Sequence, residues 1–160
     1  GAAATLVTGK ASEGAMRMDG FHSDIAYEGK SDMAWQIGNN GFEMKLPSLV
    51  PDIIDKHINT LTEKLLHKLA IDQNAIDGYA IHPGGKRILE VIERQLEIPK
   101  EKNEAAHQVL KSYGNMSSPT ILFVLKEIFS NIGQEEKGNK LLSFAFGPGL
   151  TLESMLLEIC

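Results

Sequence analysis

Two short segments carry residue types that could act together on one reacting oxygen: Ile81-His82-Pro83-Gly84-Gly85 and Gly114-Asn115-Met116-Ser117-Ser118. The first is a histidine leaving an apolar run. The second is an asparagine on a glycine turn, just ahead of a Ser-Ser-Pro helix start. An imidazole and a carboxamide are neutral hydrogen-bond donors, suited to stabilising an oxyanion. If they converge, the two side chains should lie within about 6 Å on an open face, each able to reach one oxygen with a bond near ~2.9 Å. No nucleophile accompanies them. The only cysteine, Cys160, is the last residue, and no serine or lysine sits in a strand-turn-helix nucleophile elbow. The chain reads as half of an active site.

The elements that must position these residues follow from hydrophobic periodicity. Ala2 to Val7 is small and apolar, the pattern of a strand covered on both faces. The chain opens without methionine inside that pattern, which carries the expectation that a further N-terminal half precedes it. Ala15 to His22 alternates apolar and polar, as a half-buried strand does. Met33 to Ile37 and Gly41 to Leu46 alternate likewise around Gly38-Asn39-Asn40, predicting a hairpin, because Gly and Asn tolerate the positive φ of tight turns. From Pro51 the period changes: Ile53, Ile54, Ile58, Leu61, Leu65, Leu66 and Leu69 recur at helical steps. Gly78 to Ile81 is a short strand that delivers His82 at its carboxyl end. Lys86 to Leu96 and Glu101 to Tyr113 are two helices, the second ended by Gly114. Ser118-Pro119 opens a fourth helix to about Asn131, with Ser able to cap it and Pro allowed at its first position. Leu141 to Phe146 and Leu152 to Ile159 are strands around Gly147-Pro148-Gly149. Helices separating strands predict a layered α/β domain, a mixed sheet with helices packed on its faces.

Composition narrows the function. The 160 residues are 42% hydrophobic and 23% charged, enough for one domain with a sizeable core. A net charge of -5 offers no electrostatic footprint for nucleic acid or anionic lipid. The apolar run Ile121 to Leu125 falls far short of the ~20 residues that a membrane helix needs. One cysteine gives no disulfide framework and favours a reducing compartment, so the expected location is cytoplasmic. His22, His57, His67 and His107 show no ligand-like spacing, and neither a metal nor a cofactor is expected. The run Glu135 to Lys140 reads as a solvated loop.

Taken singly, a histidine before Pro-Gly-Gly is a turn residue and an asparagine after glycine a cap. Their order and spacing, together with Phe146-Gly147-Pro148-Gly149-Leu150-Thr151, resemble the C-terminal half of type III polyketide synthases, the chalcone and stilbene synthase-like enzymes. Gly1-Ala2-Ala3-Ala4 and the stretch from Trp35 to Pro51 extend the likeness over essentially all 160 residues. The resemblance implies a thiolase-like fold of two similar halves, of which residues 1–160 are the second. It implies a Cys-His-Asn triad in which His82 and Asn115 match two members and the cysteine lies on the absent N-terminal half.

By the same resemblance the substrates are CoA thioesters, an acyl-CoA starter and malonyl-CoA, and the whole enzyme is a homodimer. A cysteine thiolate would take the acyl group, and loss of CO2 from malonyl-CoA would place charge on a thioester oxygen held by His82 Nε and the Asn115 amide. Met44 falls where plant members place a phenylalanine guarding the pocket entrance; as a plain strand residue it would face the core. Ser117 matches a pocket-lining position, or else caps a helix. Gly147, Pro148 and Gly149 form a rigid turn shaping a pocket wall, without the glycine spacing of a phosphate loop. The short polar segment 13–30 and Met44 are more similar to bacterial alkylpyrone- or alkylresorcinol-type members than to plant flavonoid enzymes. The starter, the number of extensions and the cyclisation mode stay open. Two alternatives stand beside this reading: a ketoacyl-ACP synthase III-like enzyme, which shares a related Gly-Asn turn but not His-Pro-Gly-Gly, and a non-catalytic interaction half.

Overall fold

The computed structural model describes residues 1–10, 12–29, 33–45 and 49–160, with Trp35, Met44 and Lys45 described by their backbone alone. The main sheet has four strands in the order β1-β6-β5-β4: β1 (Met16–Ile25), β4 (Gly78–Ile81), β5 (Lys140–Gly147) and β6 (Thr151–Ile159). β1 and β5 both run antiparallel to β6, and β4 runs parallel to β5. A parallel pair needs a long crossover. Here three helices fill it: α2 (Lys86–Gln95), α3 (Glu104–Tyr113) and α4 (Pro119–Ser130). This is the mixed sheet with helices packed on its faces that the pattern of strands separated by helices implied, and it fits the thiolase-like fold that the resemblance implied.

The alternation along β5 and β6 explains why helices cover both faces. Leu142, Phe144, Leu152 and Leu156 join the main core with Ile54, Ile58, Leu61 and Leu65 of α1 (Val50–Leu69) and Leu89 and Ile92 of α2. Their neighbours Leu141, Leu157 and Ile159 form a second cluster with Leu125 and Ile128 of α4. Successive residues of a strand point to opposite faces, so one apolar run serves two layers. α1 starts with Pro51 in its first turn, where a missing N–H costs nothing, and ends on Ala70 in a left-handed conformation. It passes close over β1: a Cβ at Gly20 would sit 2.7 Å from Leu69 Cδ2, and Lys68 Nζ donates to the Phe21 carbonyl at 3.1 Å. A side chain there would have to displace Leu69. β1 also carries a bulge between Met18 and Gly20.

The hairpin forms, with β2 (Ala34–Gly38) and β3 (Gly41–Lys45) paired from Gly38 and Gly41 outward and Asn39-Asn40 as the turn; the positive φ falls on Gly41, at 132°, rather than on the asparagines, and Leu46, read as the end of the second strand, lies outside the described residues. It is a separate two-stranded sheet, and Ile37 and Phe42 are exposed.

Three expectations are corrected. Residues 2–7 form no strand; Leu6 is 90% and Val7 63% exposed. An apolar run signals a tendency to be covered, but a strand also needs a partner edge, and none of the described strands pairs with this one. The third helix begins later than Glu101: Lys100–Asn103 is a 3-10 turn, and α3 follows it. Ser118 makes no side-chain capping bond at the start of α4; the Thr120 hydroxyl bonds Met116 N–H and the Ser117 carbonyl of the preceding loop instead.

Candidate functional site

His82 stands one residue beyond β4, and its backbone extends the parallel ladder by donating to the Phe144 carbonyl at 2.8 Å. Gly84 N–H then turns back to the His82 carbonyl at 2.9 Å, and α2 starts at Lys86. The imidazole is 8% exposed and, among the described residues, neither accepts nor donates a hydrogen bond. Burial lowers its pKa below the ordinary value of a histidine, because the charged form loses solvation. In this chain His82 is therefore a neutral imidazole at pH 7, a donor at one nitrogen and an acceptor at the other.

Asn115 follows α3, whose end is turned by Gly114 at φ 69°. Its side chain is oriented by two bonds. Oδ1 accepts from the Ser117 backbone N–H at 2.9 Å, and Nδ2 donates to the Gly84 carbonyl at 3.1 Å. The amide has two hydrogens, so one remains for a ligand. His82 and Asn115 line the same cleft, together with Gly84 and the apolar side chains of Met33, Val50, Ile88 and Phe146. The cleft holds about 30 Å³, room for a water rather than a substrate. At this cleft His82 is buried while Asn115 is exposed.

The other residues singled out from the sequence are distributed around this cleft. Gly147 ends β5, and Pro148 and Gly149 follow in the turn to β6; none of the three lines the cleft, whereas Phe146 does. The turn is anchored: Gly149 N–H donates to the Met33 carbonyl at 2.6 Å, and the Leu150 carbonyl accepts from Ala26 N–H at 3.1 Å. Gly149 (φ 76°) precedes a buried Leu150 also at positive φ, 51°. Ser117 is exposed, is not part of the cleft lining, and has φ 66°. The Met44 backbone pairs with Trp35, and its side chain lies outside the described residues. Cys160 is remote. Ser154 on β6 pairs with Phe144 near His82, and six positions along an extended strand to Cys160 span about 20 Å.

A buried polar network between α2 and α3 was not read from the sequence. Glu93, 8% exposed, accepts from Asn103 Nδ2 at 2.8 Å and contacts His107 Nε2 at 2.6 Å through the same oxygen. His107 on its own helix looks like a solvated residue; only the packing of α2 against α3 brings the carboxylate to it. His57 likewise pairs with Glu28, at 3.0 Å. Among the described residues no three side chains of metal-ligand type are grouped, and no helix is long and apolar enough to cross a membrane.

Comparison with known proteins identifies the family. Residues 22–160 match the family model of chalcone and stilbene synthases, C-terminal domain. A Bacillus subtilis (strain 168) protein named "Putative chalcone synthase" is 31% identical over 126 residues, covering 79% of this chain and 34% of that protein. The fold superposes on PKS-I from the brown alga Ectocarpus siliculosus with a TM-score of 0.85 and 27% identity, over 95% of this chain and 41% of the other. It also superposes on the C-terminal type III polyketide synthase domain of Steely1, a type I/III hybrid from Dictyostelium, with a TM-score of 0.80 and 27% identity, over 90% and 40% of the two chains. The chain thus spans about a third of the length of that curated relative and two fifths of those structures. A histidine at a strand end and an asparagine on a capped turn, facing one cleft within this mixed α/β frame, belong to a chain that is a member of the chalcone and stilbene synthase family, matching its C-terminal domain.

Proposed function

We propose that this chain supplies the histidine and asparagine of a Cys-His-Asn triad in an acyltransferase that condenses malonyl-CoA onto a CoA-linked starter. The observation that supports this most is the shared cleft: a neutral buried imidazole and a carboxamide with a spare N–H border the same small space. In the proposed reaction a cysteine thiolate, from the part of the protein beyond residues 1–160, attacks the starter thioester and CoA leaves as the thiolate. The malonyl carboxylate then departs as CO2, and the electron pair of the broken C–C bond becomes the enolate of the thioester. His82 and Asn115 donate to that enolate oxygen. The enolate carbon attacks the acyl-cysteine, forming the new C–C bond and freeing the cysteine sulfur.

The expected partners are acyl-CoA and malonyl-CoA, an N-terminal half of the same protein and a second copy of it; no metal or cofactor is required by this chemistry, and a cytoplasmic setting suits CoA substrates. Ser117, the Gly147-Pro148-Gly149 turn and Met44 are proposed to shape the acyl tunnel once the other half is in place. The ketoacyl-ACP synthase III reading is less favoured, because the His82-Pro83-Gly84-Gly85 turn belongs to the matched family's pattern. Acyl transfer from radiolabelled acyl-CoA separates the possibilities. Residues 1–160 alone should retain no label, whereas the full-length protein should carry it on one cysteine. A full-length protein that carries no label would leave an interaction role instead.

A further inference from the structure

We infer that Thr120 is a positioning residue for Asn115, a role resting on the reading of Asn115 as an oxyanion donor. Thr120 is wholly buried in the first turn of α4, one residue after Pro119. Its hydroxyl oxygen accepts from Met116 N–H at 2.8 Å and donates to the Ser117 carbonyl at 2.7 Å, while Thr120 N–H reaches the same carbonyl at 3.0 Å. The hydroxyl has one hydrogen, which the Ser117 carbonyl takes; its 3.5 Å approach to Asn115 Oδ1 adds no second donation.

The consequence lies in the loop. Ser117 adopts φ 66°, a left-handed conformation that a non-glycine residue holds only when its surroundings impose it. Thr120 grips the residue before it by the N–H and Ser117 itself by the carbonyl. Held this way, Ser117 N–H points at Asn115 Oδ1 and fixes which end of the carboxamide is which. The Nδ2 end is then left toward Gly84 and the cleft of His82. The serine before Pro119, which looks like the cap in the sequence, makes no such bond. A buried side chain that never touches the substrate thus sets the donor's orientation.

The test uses the full-length protein and malonyl-CoA decarboxylation. Thr120→Val removes the hydroxyl at nearly constant shape; Thr120→Ala does so without risk of overpacking if the valine variant does not fold; Thr120→Ser restores the hydroxyl. Loss of the hydroxyl should lower kcat about tenfold, with KM changed by less than about twofold, since geometry rather than binding is loosened. Thr120→Ser should stay within about twofold of the parent. In an Asn115→Ala background the Thr120 substitution should have no further effect on kcat, as residues acting as one unit are non-additive. A parental kcat for both hydroxyl-free variants, or an equal loss with and without Asn115, would overturn the inference. If Asn115→Ala itself leaves decarboxylation unchanged, the catalytic reading has failed, and amide hydrogen exchange across residues 114–121 decides the positioning claim separately. Faster exchange in Thr120→Val but not in Thr120→Ser supports it, and unchanged exchange refutes it.

Discussion

Replacing Asn115 by aspartate keeps the side chain's shape and the acceptor that receives Ser117 N–H, but turns the donor facing Gly84 into an oxygen. Two effects follow at the proposed enolate. Loss of one oxyanion donor costs about 10²-fold in rate, roughly 3 kcal/mol, and this part is shared with Asn115→Ala. An ionised aspartate adds a repulsion that alanine lacks: two like charges about 4 Å apart at an effective dielectric of ~20 repel by about 4 kcal/mol. Asn115 lies at the exposed rim, so solvent screening reduces that second part, and about tenfold below alanine is expected. Protonation removes the repulsion and creates an O–H donor. The aspartate variant should therefore gain on the alanine variant as pH falls toward the ordinary carboxylate range of about 4. The assay is release of CO2 from malonyl-CoA by the full-length protein between pH 5 and 9, limits chosen from the usual carboxylate and histidine ranges. Parental activity in Asn115→Asp, or a pH profile parallel to that of Asn115→Ala, would refute the donor geometry.

Burial lowers the pKa of His82, so the unfolded chain binds more protons than the folded one just below the ordinary histidine value. Its contribution to stability should be complete above about pH 6.5 and be lost as pH falls from there through the folded-state value; NMR titration of the ring in residues 1–160 should give a midpoint below 6.5, and a normal or raised midpoint would contradict the burial. His107→Ala should destabilise by about 1–3 kcal/mol, read as a lower urea midpoint, because Glu93 is left buried with Asn103 as its one remaining donor. By strand register, Met18, Phe21 and Ile25 share the β1 face opposite α1 and are 45%, 53% and 44% exposed. Residues 1–160 should self-associate through this stripe in sedimentation, and Phe21→Lys should shift the population toward monomer; a parent that is monomeric at high concentration would dismiss the idea.

What the sequence made legible was local and periodic. The strand that delivers His82, the helix entered through Pro51 and the hairpin around Asn39-Asn40 each follow from spacing and turn residues within a few positions. The pairing of His82 with Asn115 needed more, since no spacing rule brings residue 82 to residue 115; the motif order supplied it through likeness to a family. Features that depend on tertiary packing escaped. Leu6 and Val7 looked buried because composition records apolar character and not the partner. Ser118 does not cap α4 and Thr120 bonds the loop before it, and the left-handed backbone at Ser117 is nothing a serine advertises. Glu93, Asn103 and His107 come from two helices and a turn, and nothing in one helix announces a partner on another.

The central claim is that His82 and Asn115 act on one oxygen, and the most direct measurement is malonyl-CoA decarboxylation by the full-length protein carrying His82→Ala, Asn115→Ala or both. The account predicts that each single substitution lowers kcat by about 10²-fold or more, with the fold retained, and that the double variant loses less than the product of the two. Unchanged decarboxylation in both single variants, or losses that multiply as for independent sites, would contradict it.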